Sequence, residues 1–229
     1  MTSLGGQGAC PMNVSERLTQ ENTILREIRL TLSTFRSVSP GGGTRRKGAV
    51  YASSPITSGL MLFNLMIELG IKSPDELKSA HPLRFKTDVL DKNLANGEIF
   101  GRSLQNKGFA IVIVPSQFFA KGWAQEHYMS LWRQVIIRHA RTVALNTNWQ
   151  WSTGCVEEFL IGLQNRKRIV YQTGEVVDEP RKAADLILNS MREIDSWGFE
   201  SKPLYDLWRQ IVLTIDGLED KGHSSHASA

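Results

Sequence analysis

Residues 147–171, TNWQWSTGCVEEFLIGLQNRKRIVY, decide how the chain is read. Two tryptophans and a turn of small polar residues come first. Two adjacent glutamates, an apolar helix face, a basic break and a β-branched run follow. That order predicts a loop, a helix start, a helix over Thr153 to Asn165 and a strand over Arg168 to Tyr171. Ser152 or Thr153 supplies a side-chain oxygen for the helix N-cap, and Val156, Phe159, Leu160 and Leu163 mark the side that faces the core.

Working outward, the same alternation recurs. Thr142 to Leu145 reads as a strand. Gly108 to Pro115 (GFAIVIVP) is a near-continuous apolar run, as expected of a strand buried on both faces. Ala49 to Ser53 is a short strand ended by Ser54 and Pro55. Between these lie helices over Ser58 to Leu69, closed by Gly70, then one after Ser73-Pro74, one from about Asp91 to Gln105, and one over Trp123 to Arg138. Residues 81–91 read as irregular. Strands alternating with helices predict a parallel α/β sheet of about four to five strands with helices on both faces. Extra helices are expected at both ends.

The domain expectations follow. Residues 1–12 read as disordered. Residues 13–36 form a helix that serves as a docking or dimerisation arm or packs on its own domain. Residues 37–47 form a linker. Its Gly41-Gly42-Gly43-Thr44 lacks a following Gly-Lys pair and precedes a strand, so it is a poor phosphate loop. The α/β domain covers 48–175, two closing helices cover 176–217, and 218–229 is a polar, disordered tail whose histidines read as a flexible end.

The 229 residues are 41% hydrophobic and 22% charged, enough for one sizeable domain with its own core. A net charge of +4 permits anionic ligands without demanding nucleic acid. The two cysteines, Cys10 and Cys155, form neither a disulfide framework nor a metal pair, which favours a reducing cytoplasm. No stretch reads as a signal peptide, and none is long and apolar enough to span a bilayer. No metal and no cofactor is expected.

Ligands of open α/β sheets bind outside the carboxyl ends of the strands. That rule selects Ser53 to Thr57, Pro115 to Gln117, and Asn146 to Ser152. Ser53, Ser54, Thr57 and Ser58 could donate to a sugar or phosphate. Trp149 and Trp151 could stack on a base, or be partly buried at the sheet edge. Glu157 and Glu158 sit in the first turns of their helix, where backbone N–H groups favour ionised carboxylates. An ionised glutamate at a pocket floor is a competent nucleophile toward an anomeric carbon. Only one of two adjacent residues can face the pocket, and Glu157 is better placed for solvent. Taken alone, the pair also reads as two acids that stabilise a helix start. Cys155 at the same helix start reads as a thiol nucleophile with no partner histidine nearby in sequence.

Gly154-Cys155-Val156-Glu157-Glu158-Phe159, continuing to Lys167-Arg168-Ile169-Val170, resembles the glycine-started helix and following strand of the nucleoside 2-deoxyribosyltransferase-like superfamily. Val50-Tyr51-Ala52-Ser53-Ser54-Pro55 looks like that family's opening strand. The resemblance implies a flavodoxin-like (Rossmann-like) sheet and cleavage of the N-glycosidic bond of a nucleoside or nucleotide, with the sugar passed to another base or to water. It places the nucleophile at Glu158 and an orienting tyrosine at Tyr51 or Tyr128. With the strand-end rule, substrate contacts are expected at Ser53, Ser54, Pro55, Trp149, Trp151, Ser152 and Gly154. The chain departs from the pattern at Ser54 and Cys155, where the family has glycine and threonine. It also has Arg141 at the third strand, where an acid is usual. Glu126 and Glu98 are therefore the candidate general acids, and Arg102 and Arg133, with Arg138, the candidate phosphate ligands.

The expected function is N-glycosidic cleavage, by hydrolysis or base exchange, in a cytoplasmic homo-oligomer. The alternative is a non-catalytic nucleotide-binding or sensor module on the same fold, to which the end helices would be suited as assembly elements.

Overall fold

The computed structural model describes residues 14–38, 48–118, 120 and 122–224. The expected disorder at 1–12, nearly all of the 37–47 linker and the last five residues lie outside them. Four strands form one parallel sheet in the order β2-β1-β3-β4. They are β1 (Ala49–Ser53), β2 (Ile111–Ile113), β3 (Ala140–Leu145) and β4 (Arg168–Tyr171). This is a flavodoxin-like α/β order in which the chain reverses direction across the sheet beside β1. All five residues of β1 are buried, as a central parallel strand requires.

Alternation along β1 sorts its side chains between two faces. Val50 and Ala52 pack with Ala144 and Val170 under α5 (Asp91–Asn106). Ala49 and Tyr51 pack with Val143, Leu145 and Ile169 on the opposite face. That second face is covered by α6 (Gln125–Arg138) and α7 (Thr153–Gln164). Outside them lie α2 (Leu60–Leu69), α8 (Pro180–Ser196) and α9 (Lys202–Ser224).

Glycines set how closely helices approach the sheet. A Cβ on Gly101 of α5 would lie 2.5 Å from Val114 Cγ2, and one on Gly162 of α7 would lie 3.2 Å from Ile169 Cδ1. Both helices therefore sit nearer the sheet than a side chain at those points allows.

Two expectations change. Residues 82–90 are helical rather than irregular: α4 (Pro82–Arg84) and a wide π-type stretch, Phe85–Leu90, run directly into α5. Pro82 occupies the first helical position, where its missing N–H costs nothing, and the wide turn shifts the apolar phase that reveals a helix in sequence. A short α3 (Pro74–Ala80) precedes it, capped by Ser73, whose side chain accepts from the Glu76 N–H. The last helix runs to Ser224, past the expected end at 217. Arg181 of α8 bonds Asp216 and Glu219, the latter at 3.0 Å, which ties this far part of α9 to its neighbour. At the other end, α1 (Val14–Val38) packs its early turns on its own domain: Leu25 is buried, and Gln20 Oε1 accepts a 2.9 Å hydrogen bond from Trp123 Nε1.

The glycine contacts give a paired expectation. Gly101→Ala should lower stability by about 1–3 kcal/mol, because the overpacking against buried, stiff Val114 outweighs alanine's helix propensity. Gly217→Ala, exposed in α9 with nothing within 4 Å, should raise it by about 0.5–1 kcal/mol. Urea denaturation of the two variants beside the parent measures both.

Candidate active site

Tyr51 and Ser53 are two residues apart on β1 and so share a face, the one under α7. Glu158 sits one turn inside α7, close to the start that Ser152 caps by accepting from the Cys155 N–H. The helix thus lays Glu158 across the end of β1. Tyr51 Oη donates to Glu158 Oε1 at 2.5 Å, and Ser53 Oγ donates to Glu158 Oε2 at 2.6 Å. Each carboxylate oxygen keeps a further lone pair. Ser58 Oγ and Ser152 Oγ lie 2.8 Å apart and join the loop after β1 to the helix cap.

Glu158 is only 6% exposed. Burial pushes its carboxyl up to about 7, against the two hydroxyl hydrogen bonds, which favour the ionised form. The same burial, together with the Glu158 charge, holds the Tyr51 phenol well above its usual range. Tyr51 therefore stays a donor, and Glu158 is the group that titrates near neutrality.

Glu158 lines a cavity of about 330 Å³ that also receives Ser152, Gly154 and Cys155 from the start of α7, and Ser54, Thr57 and Ser58 from the loop after β1. The end of β2 adds Pro115, Ser116 and Phe118. The segment leading into α6 adds Trp123, α6 itself adds Gln125, Tyr128 and Trp132, and the π-type stretch and α5 add Leu90 and Leu94. Tyr128 Oη holds this wall in place by exchanging hydrogen bonds with the backbone N–H and C=O of Ala120.

Of the sequence candidates, the structure brings Tyr51, Ser53, Ser54, Ser152, Gly154 and Glu158 together. Pro55 turns away, onto a neighbouring cavity of about 260 Å³ lined by Asn93, Asn146 and Asn148. The tryptophans of 149–151 are not cavity walls. Trp149 is buried against Phe159, with ring centroids 5.0 Å apart, and Trp151 stacks on Trp197 at 5.3 Å. Their large apolar rings anchor the loop to α7 and α8 instead. The aromatic walls are Phe118, Trp123, Tyr128 and Trp132. The strand-end rule pointed to Pro115–Gln117, and the aromatics begin at the next residue.

The candidate general acids and phosphate ligands lie outside the cavity. Glu126 is 79% exposed beside His127, and Glu98 pairs with Arg102 at 3.4 Å on the exposed side of α5. Arg133 pairs with Glu157 at 2.6 Å. Long charged side chains on helix surfaces found partners in solvent. Cys155 is buried, and its thiol is pushed far up by burial and by Glu158, so it does not supply a thiolate. Among the described residues, no group of three or more His, Cys, Asp or Glu could hold a metal ion, and no helix is long and apolar enough to cross a membrane.

The Glu158 shift has a definite sign for stability. A carboxyl whose folded value lies above its unfolded value near 4.5 binds its proton more tightly when folded, so stability falls as pH rises from about 4.5 through about 7. Glu158→Gln removes that loss. Relative to the parent, the variant should gain on the order of 3 kcal/mol between pH 4.5 and pH 8, read from denaturation curves at the two pH values. An unchanged difference would mean that Glu158 does not titrate in this window. Comparisons of the chain with protein-family models, with curated proteins and with solved structures return no match.

Proposed function

We propose that the protein cleaves the N-glycosidic bond of a nucleoside or nucleotide with Glu158 as nucleophile. The observation that carries this reading is the buried Glu158 carboxylate, held from both sides by the Tyr51 and Ser53 hydroxyls at the floor of an aromatic-walled cavity.

In the first step the ionised Glu158 attacks the anomeric carbon, a glycosyl ester forms, and the C–N bond breaks. The departing nitrogen keeps the electron pair of that bond and takes its proton from water. In the second step water or another base attacks the same carbon and returns the carboxylate. Tyr51 and Ser53 orient Glu158 and stabilise its charge in the free enzyme. Phe118, Trp123 and Tyr128 offer faces for a base and Ser54, Thr57 and Ser58 offer hydroxyls for a sugar.

A second reading is favoured by one observation: Glu158 is the only carboxylate among the described residues that line the cavity. A glycosidase ordinarily uses two such groups. With no second acid, the cavity would bind a nucleoside or nucleotide without turning it over.

Chromatography of free base after incubation with nucleosides and nucleotides separates the two. The glycosidase reading expects base release by the parent and a loss of at least about 10³-fold in Glu158→Gln, with the fold retained. It also expects kcat/KM to rise with pH to a plateau above about 7, because the nucleophile must be ionised. Full activity in Glu158→Gln sinks it. Binding seen by calorimetry with no release of base from any substrate supports the second reading.

A further inference from the structure

Building on the glycosidase reading, we infer that the Glu158 cavity takes an uncharged substrate, a nucleoside without a 5′-phosphate, and rejects the corresponding nucleotide. Among the described residues that line the cavity there is no Lys, Arg or His, and the one side chain ionised near neutral pH is Glu158 itself. A phosphate placed there would lose its water, meet no cation and face a buried carboxylate.

Two of the candidate phosphate ligands are engaged elsewhere. Arg102 and Arg133 are paired with Glu98 and Glu157, away from the cavity. A helix start is the other common phosphate site, and α7 begins at this cavity. Part of its first turn is already served: Ser152 Oγ accepts from the Cys155 N–H at 3.5 Å. A phosphate at that start would share the cavity with the Glu158 carboxylate.

The polar lining suits a neutral ligand instead. Ser54, Thr57, Ser58 and Gln125 carry hydroxyl and amide groups, which both donate and accept. Ser116 also lines the cavity, and its buried hydroxyl has no hydrogen-bond partner among the described residues. Sugar hydroxyls and base edges are ligands of that neutral kind.

The test pairs deoxyadenosine with its 5′-monophosphate, and thymidine with its 5′-monophosphate. Two measurements are made on the full chain: kcat/KM for base release by the parent, and calorimetric binding to Glu158→Gln. The expected result is a preference for the nucleoside of at least roughly tenfold in kcat/KM, and a smaller preference in binding to Glu158→Gln, which lacks the opposing carboxylate. A monophosphate that binds or reacts as well as its nucleoside overturns the inference while leaving the glycosidase reading intact. Selective nucleoside binding without any base release keeps the substrate class and overturns the glycosidase reading. Binding of neither member of either pair overturns the inference.

Discussion

A carboxylate buried at 6% exposure beneath a helix is the constraint on which the site depends. Desolvation opposes its charge, and only the Tyr51 and Ser53 hydroxyls within 2.6 Å offset part of that cost. Those hydroxyls are available because β1 is an inner strand of a parallel sheet, so residues two apart point to the same helix-covered face. Glu158 meets them because α7 lies close against the sheet, with Gly162 leaving room over Ile169. A displaced α7 would leave a buried carboxylate without donors. The close approach of α7, the Ser152 cap and the carboxylate clamp are therefore one arrangement.

Aromatic residues divide into two groups with different tasks. Trp151, Trp197, Phe63 and Phe199 pack on one another and join the loop before α7 to α2 and to the region between α8 and α9. Phe118, Trp123, Tyr128 and Trp132 form the cavity wall on the other side of Glu158. The hydrogen bond from Trp123 to Gln20 links that wall to α1, so a helix outside the α/β core helps to hold one side of the cavity. Closing helices and wall both serve the same end of the sheet, where strands from the core finish and loops are free to carry function.

Much of the fold was legible in the sequence because it depends on local patterning. The apolar run ending at Pro115, the β-branched run at 168–171 and the Gly70 stop declare themselves by period and composition. The helix at 82–90 did not, because Pro82 resembles a breaker and a wide turn disrupts the 3.6-residue phase. The far end of α9 was also missed, since polar residues there gain order from ion pairs to Arg181, a partner about 35 residues away.

The sequence by itself determined the α/β alternation, the capped helix start after Ser152, and the placing of Glu158 just inside it with Glu157 turned outward. Tertiary structure alone decided which groups meet Glu158. Tyr51 and Ser53 are 107 and 105 residues away, and only the sheet's strand order and the approach of α7 bring them within hydrogen-bonding distance. It also decided that Trp149 and Trp151 belong to the core and that Glu98, Glu126, Arg102 and Arg133 stay at the surface. A residue's type and spacing state what chemistry it could perform. Burial and distance, which arise from packing between segments far apart in the chain, decide whether its charge is desolvated and which partners it finds.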